Sequence, residues 1–161
     1  MSEPEVVVPA PTAADTRAVG VRLAGLARAG DLVVLGGGLG AGKTTLAQGI
    51  GAGLGVRGEV TSPTFVIARI HRSLTGGPDL VHVDAYRLTG QVEFDDLDLD
   101  ADVAHSVTVV EWGEGLAEPL AESFLRVRLE QPDPAAEDRV VRVQPVGPRW
   151  PVADVRAGLL A

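Results

Sequence analysis

The chain has 161 residues, a net charge of −8 at neutral pH and a pI near 4.8. A field of that sign does not grip nucleic acid, so any such biology is expected to run through a partner. Cysteine is absent, which excludes disulfides, thiolate metal sites and cysteine nucleophiles.

The length fits one domain. Residues 1–11 read as a loose segment rich in Pro, Val and Glu, with an added edge strand as the alternative. The acidic start, Met1-Ser2-Glu3-Pro4-Glu5, lacks the basic-then-apolar pattern of a secretory leader. No apolar run approaches the roughly 20 residues needed to span a bilayer. A cytoplasmic location with no membrane partner is therefore expected.

Thr12 is a candidate N-cap. A helix is expected from there to about Arg28, with Val19, Leu23, Leu26 and Ala27 at helical spacing and Gly30 as a stop signal. Residues 31–35 read as a short buried strand. Residues 43–54 read as a helix weakened by Gly49, Gly51 and Gly53 and closed by Gly55. Residues 60–70 are a loop entering a β-rich run, and 75–78 a turn. Residues 79–84 and 107–111 are apolar strands that each end in a carboxylate. Between them, residues 93–103 are expected to hold a short acidic helix with Phe94, Leu97 and Leu99 inward. A helical turn is expected within 116–123. Residues 124–129 and 140–143 alternate like the strands of a hairpin, joined by the polar loop 131–138. The main domain is read as 12–146. Residues 147–161 form a tail, read as a short amphipathic helix with no assigned role.

Between the first strand and its helix lies Gly37-Gly38-Leu39-Gly40-Ala41-Gly42-Lys43-Thr44. It fits G-x-x-x-x-G-K-[ST], the phosphate-binding P-loop. Glycines let the backbone wrap a phosphate with its N–H groups inward, and the helix N-terminus adds partial positive charge. Lys43 would reach the β- and γ-phosphates, and the Thr44 hydroxyl would ligate Mg²⁺. Gly36, Gly38 and Ala41 also satisfy the dinucleotide fingerprint. The glycine-rich residues 52–59 make a poor second strand, and that reading leaves Lys43 and Thr44 without a role.

A P-loop hydrolase needs a carboxylate at a neighbouring strand end and a group that orients water. Asp84 and Glu111 are the candidates for both tasks. His82, two residues before Asp84, shares its strand face and reads first as a structural histidine. Thr61, Ser62 and Thr64 stand where nucleotide-sensing segments occur, with ordinary turn residues as the rival reading. Trp112 reads equally as core or as a cover for the site. Tyr86 and Arg87 read as contacts to phosphate or partner, or as a buried tyrosine beside a surface arginine. Arg57, Arg69, His71 and Arg72 offer a basic patch, against scattered solvated arginines.

Four signatures in order, Gly40-Ala41-Gly42-Lys43-Thr44-Thr45, Ser62-Pro63-Thr64-Phe65, His82-Val83-Asp84-Ala85-Tyr86-Arg87-Leu88 and Glu111-Trp112, resemble the TsaE (YjeE) family over about residues 12–130. The resemblance implies a single α/β P-loop NTPase-like domain, with a mixed, centrally parallel sheet flanked by helices. It implies slow, Mg²⁺-dependent ATP hydrolysis, with ATP or ADP on Gly37 to Thr45, in the synthesis of threonylcarbamoyladenosine at position 37 of tRNA. The implied partners are TsaD and TsaB, with tRNA met indirectly through them. Lys43 and Thr44 match the family's phosphate and metal positions. Thr64 falls in a switch-like segment. Asp84 and Glu111 match the acidic site residues, and Trp112 the tryptophan beside them. Gly38 stands where the family usually has Asp, and Gly113 where it often has Pro.

Three other classes compete with this reading. A small-molecule kinase usually carries an arginine-rich lid; here only Arg69, Arg72 and Arg87 could contribute to one. A GTPase needs the N-K-x-D motif, and the chain has no asparagine. A passive nucleotide sensor is hard to tell by sequence from a slow ATPase.

Overall fold

The computed structural model describes residues 4–38, 40–61, 67–88 and 90–160, without the side chains of 100 and 101. The elements in chain order are β1 (Val6–Ala10), α1 (Ala13–Leu26), β2 (Leu32–Gly37), α2 (Lys43–Leu54), β3 (Ala68–His71), β4 (Asp79–Asp84), α3 (Gln91–Asp95), α4 (Asp100–Val103), β5 (Ser106–Glu111), β6 (Phe124–Glu130), β7 (Arg139–Val146) and α5 (Val152–Leu160). A 3₁₀ turn at Glu118–Leu120 fills the place of the expected helical turn.

Seven strands form one sheet in the order β1-β7-β6-β2-β5-β4-β3. The four central strands, β6, β2, β5 and β4, run parallel, and both edges are antiparallel. The mixed, centrally parallel α/β sheet expected from the sequence is thus present. Strand β2 is buried on both faces. Val33 and Leu35 pack with α1, α2 and α5, while Leu32 and Val34 pack with Phe94, Leu99 and Ala117 on the other side. That is why β2 reads as a continuous apolar run.

Thr12 caps α1 as expected. Its hydroxyl accepts from the Asp15 N–H at 3.2 Å, and the Asp15 carboxylate accepts the Thr12 N–H at 3.0 Å. The glycines of α2 are contact surface rather than weakness. A Cβ on Gly49 would stand 2.0 Å from the carbonyl oxygen of Arg17, and one on Gly20 2.3 Å from that of Leu46. Helices α1 and α2 therefore meet backbone to backbone, which fixes α2 and the loop that precedes it.

Three sequence expectations are corrected. Within the segment 1–11 the edge-strand alternative holds: β1 pairs with β7 and buries Val6, Val8 and Ala10 in alternation. The acidic helix splits into α3 and α4, with Asp98 between them at φ +52°. The tail forms the expected short helix, α5, but that helix is part of the core. Trp150, Val155 and Leu159 are buried with α1 and β1, and Arg149 makes a two-pronged ion pair with Asp31 at 2.9 and 3.1 Å.

Candidate functional site

Strand β2 carries the chain to the C-terminal edge of the parallel strands, where open α/β sheets bind ligands. The chain turns back there through glycines that need unusual backbone angles: Gly40 at φ +77° and Gly42 at +105°. Helix α2 starts at Lys43 with Gly42 as N-cap and no side-chain cap. Its first N–H groups and the positive end of its dipole are thus open to an anion.

Lys43 is the only lysine in the sequence and is 6% exposed. Its ammonium donates to the carbonyls of Gly37 and Gly38 at 2.9 and 2.8 Å. Burial pushes its pKa below the ordinary lysine value, and the charges of Glu111 and Asp84 partly restore it.

The two strand-end carboxylates lie side by side, because Asp84 of β4 is in register with Glu111 of β5. Glu111 is buried. Its Oε1 accepts from the Thr44 hydroxyl at 3.5 Å, the long limit of a hydrogen bond. Its Oε2 accepts from Nε2 of His82. His82 is fully buried, and its Nδ1 has no partner among the described residues. A hydrogen on Nε2 alone leaves no buried donor orphaned. Asp84 Oδ1 accepts the Tyr86 N–H at 2.9 Å.

Trp112 follows Glu111 with φ +61°. A left-handed backbone at a bulky residue costs about 1–2 kcal/mol, and the Trp112 N–H bond to the Leu35 carbonyl at 2.9 Å helps to hold it. The turn lays the indole against both the Lys43 ammonium and the Tyr86 ring, with the aromatic centroids 4.8 Å apart. Tyr86 is 53% exposed, so the buried-tyrosine alternative falls. A Cβ on Gly113 would approach Val110 Cγ1 to 2.7 Å, so proline at 113 needs Val110 to move.

Gly40, Gly42, Lys43, Thr44, Thr45, Asp84, Glu111 and Trp112 line one cavity of about 400 Å³, with Tyr86 and Arg87 at its wall. Gly37, Gly38 and Ala41 line a second cavity of about 680 Å³ across Trp112, beside the Arg128–Glu114 ion pair. Leu39 and Thr64 lie outside the described residues. Sequence reasoning missed Arg139, which reaches the glycine loop from β7. No motif marks it; only its place at the end of a polar loop could have drawn notice. Sequence reasoning also missed the bond from His82 to Glu111, which the shared strand face of His82 and Asp84 hinted at.

Comparison with known proteins gives a consistent answer. A family model described as threonylcarbamoyl adenosine biosynthesis protein TsaE matches residues 10–140. The chain is 62% identical over 142 residues to the tRNA threonylcarbamoyladenosine biosynthesis protein TsaE of Streptomyces coelicolor, covering 86% of this chain and 96% of that one. It is 34% identical over 137 residues to the TsaE protein of Bacillus subtilis, covering 84% and 83%. Its fold matches the crystal structure of Bacillus subtilis YdiB with a TM-score of 0.71 and 27% identity, over 91% of this chain and 89% of that one. The chain belongs to the TsaE family of threonylcarbamoyl adenosine biosynthesis proteins.

Proposed function

We propose that this protein binds ATP on the glycine-rich loop and hydrolyses it in support of threonylcarbamoyl modification of adenosine 37 in tRNA. It acts with TsaD- and TsaB-like partners and meets tRNA through them. The observation that carries the reading is the convergence of Lys43, Thr44, Asp84 and Glu111 on one cavity at an uncapped helix start.

The arrangement of the side chains supports the following roles. Loop N–H groups and the α2 N-terminus take the phosphates. Lys43 exchanges the Gly37 and Gly38 carbonyls for β- and γ-phosphate oxygens. Trp112 holds the ammonium from the other side through its ring face. His82 takes one oxygen of Glu111 and turns the other toward Thr44. Asp84, beside Glu111, orients the attacking water. Partner contact sets the rate.

The donor set fits Mg²⁺. A hydroxyl and two carboxylates are hard oxygen ligands, and Mg²⁺ is commonly held by one or two carboxylates together with substrate phosphates. Thr44 and Glu111 would hold the ion, with Asp84 adjacent. When bound, it neutralises charge on the transferred phosphoryl group.

The test is reconstituted tRNA modification with TsaD, TsaB and either Lys43→Ala or Glu111→Gln. Modification is expected to collapse with both variants, and undiminished modification would reject the reading. The 680 Å³ cavity beside the loop supports a second reading, phosphoryl transfer to a small acceptor seated there. Labelled γ-phosphate recovered on a metabolite rather than as inorganic phosphate would decide for it.

A further inference from the structure

One guanidinium outside the described cavity makes an unusual set of bonds. Arg139, the first residue of β7, donates to five backbone carbonyls. Its Nε bonds Ala41 O at 3.1 Å, and its Nη2 bonds Gly40 O at 3.2 Å. Its Nη1 bonds the carbonyls of Ala136, Glu137 and Asp138 at 3.1, 2.7 and 3.1 Å. The same loop is pinned a second time, because the Glu137 carboxylate accepts the Ala13 N–H at the start of α1 at 2.8 Å.

The peptide bond is planar and trans, so a carbonyl and the next N–H point opposite ways. Fixing the Gly40 and Ala41 carbonyls toward Arg139 therefore aims the Ala41 and Gly42 N–H groups away from it. The Ala41 N–H turns back onto its own loop and bonds the Gly38 carbonyl at 3.2 Å, the same carbonyl that accepts from the Lys43 ammonium at 2.8 Å. Gly40 and Gly42, both left-handed, flank Ala41 and give the alternation that makes successive N–H groups converge into an anion-binding nest.

We infer that Arg139 is a positioning residue that holds the convex side of the glycine loop so that its N–H groups converge on phosphate. This rests on the ATP reading above. The guanidinium touches no phosphate; it acts through the Gly40 and Ala41 peptide groups. A lysine at this position has one nitrogen and cannot span the two loop carbonyls and the three from 136–138 at once. The effect falls on ground-state and transition-state binding alike, so it appears in affinity and KM rather than in kcat.

The experiment measures ATP·Mg²⁺ affinity by calorimetry, steady-state phosphate release and thermal unfolding for wild type, Arg139→Lys and Arg139→Ala. Wild type is expected to bind. Arg139→Ala should weaken binding by about tenfold, equivalent to about 1.4 kcal/mol, and Arg139→Lys by less. In both, kcat at saturation should stay within about threefold of wild type. Arg139→Ala and Arg139→Lys that bind as tightly as wild type would overturn the inference alone, as would a fall in kcat with KM unchanged. Wild type that binds no nucleotide would overturn the ATP reading and this inference with it. If Arg139→Ala does not fold, Arg139→Lys decides by the same affinity and KM criteria.

Discussion

The Lys43 ammonium stands 4.0 Å from the centroid of the Trp112 ring while it donates to the Gly37 and Gly38 carbonyls. The only lysine of the chain is thus held between its own loop and an indole set on a left-handed backbone. Phosphate is proposed to take over the bonds that the two carbonyls now make.

That geometry makes Trp112 a reporter. The chain has two tryptophans, and Trp150 is buried in the opposite core cluster beside Arg149. Titration with ADP or ATP and Mg²⁺ should change tryptophan fluorescence as the ammonium shifts. Trp150→Phe should keep the response and Trp112→Phe should lose it. The reverse pattern would place the bound nucleotide elsewhere.

A single lysine also allows a chemical footprint. An amine-acylating reagent has only Lys43 and the α-amino group to modify, and Lys43 is the slower target because of its burial. Saturating ATP·Mg²⁺ should protect Lys43 and leave the α-amino group unchanged, as read by mass spectrometry. Equal modification of Lys43 with and without nucleotide would show that the ammonium is not at the phosphates.

The glycines of the two packed helices separate by what surrounds them. Alanine in place of a mid-helix glycine gains about 0.5–1 kcal/mol from backbone entropy. At Gly25, next to the last residue of α1, nothing lies within 4 Å of the added carbon, so Gly25→Ala should raise the melting temperature by about 1–4 °C. At Gly49 the added carbon meets the Arg17 backbone, and overpacking of about 1–3 kcal/mol or more outweighs the gain. Gly49→Ala should therefore lower the melting temperature. Equal shifts in the two variants would contradict the close approach of α1 and α2.

Asp79, at the start of β4, gives a pH dependence. Its carboxylate accepts the Ser73 N–H at 2.6 Å and an Arg72 guanidinium N–H at 3.0 Å, and these bonds push its pKa below the ordinary 3.8. A carboxyl with a lowered folded-state pKa stabilises the fold above the unfolded-state value, and that stability fades as pH falls toward the folded value. Asp79→Asn should be less stable than wild type at pH 7, and the gap should narrow below about pH 4. A gap that is constant from pH 7 to pH 2, measured by urea denaturation, would show that the bonds do not depend on the charge.

The central part of this fold was legible because its signals are local. A continuous apolar run marked β2, apolar stretches ending in a carboxylate marked β4 and β5, and the loop pattern marked the start of α2 at Lys43. What sequence could not show depends on distant partners. The tail read as separate because nothing near Trp150 says that it packs against α1, or that Arg149 pairs with Asp31. Gly49 read as a flaw in α2 because Arg17, 32 positions earlier, supplies the contact. In the site, Lys43, Thr44, Asp84 and Glu111 were named from motif and strand ends, and one cavity holds them. Arg139 was missed because it bonds backbone carbonyls, which carry no sequence signature.

Phosphate release from ATP with Mg²⁺ tests the central claim most directly, for wild type and Glu111→Gln, alone and with TsaB and TsaD. Release is expected to be slow alone, to rise with the partners, and to fall at least about a hundredfold in the variant. Release that ignores both the partners and the loss of the Glu111 charge, from protein that binds ATP and joins the complex, would contradict catalysis at this site.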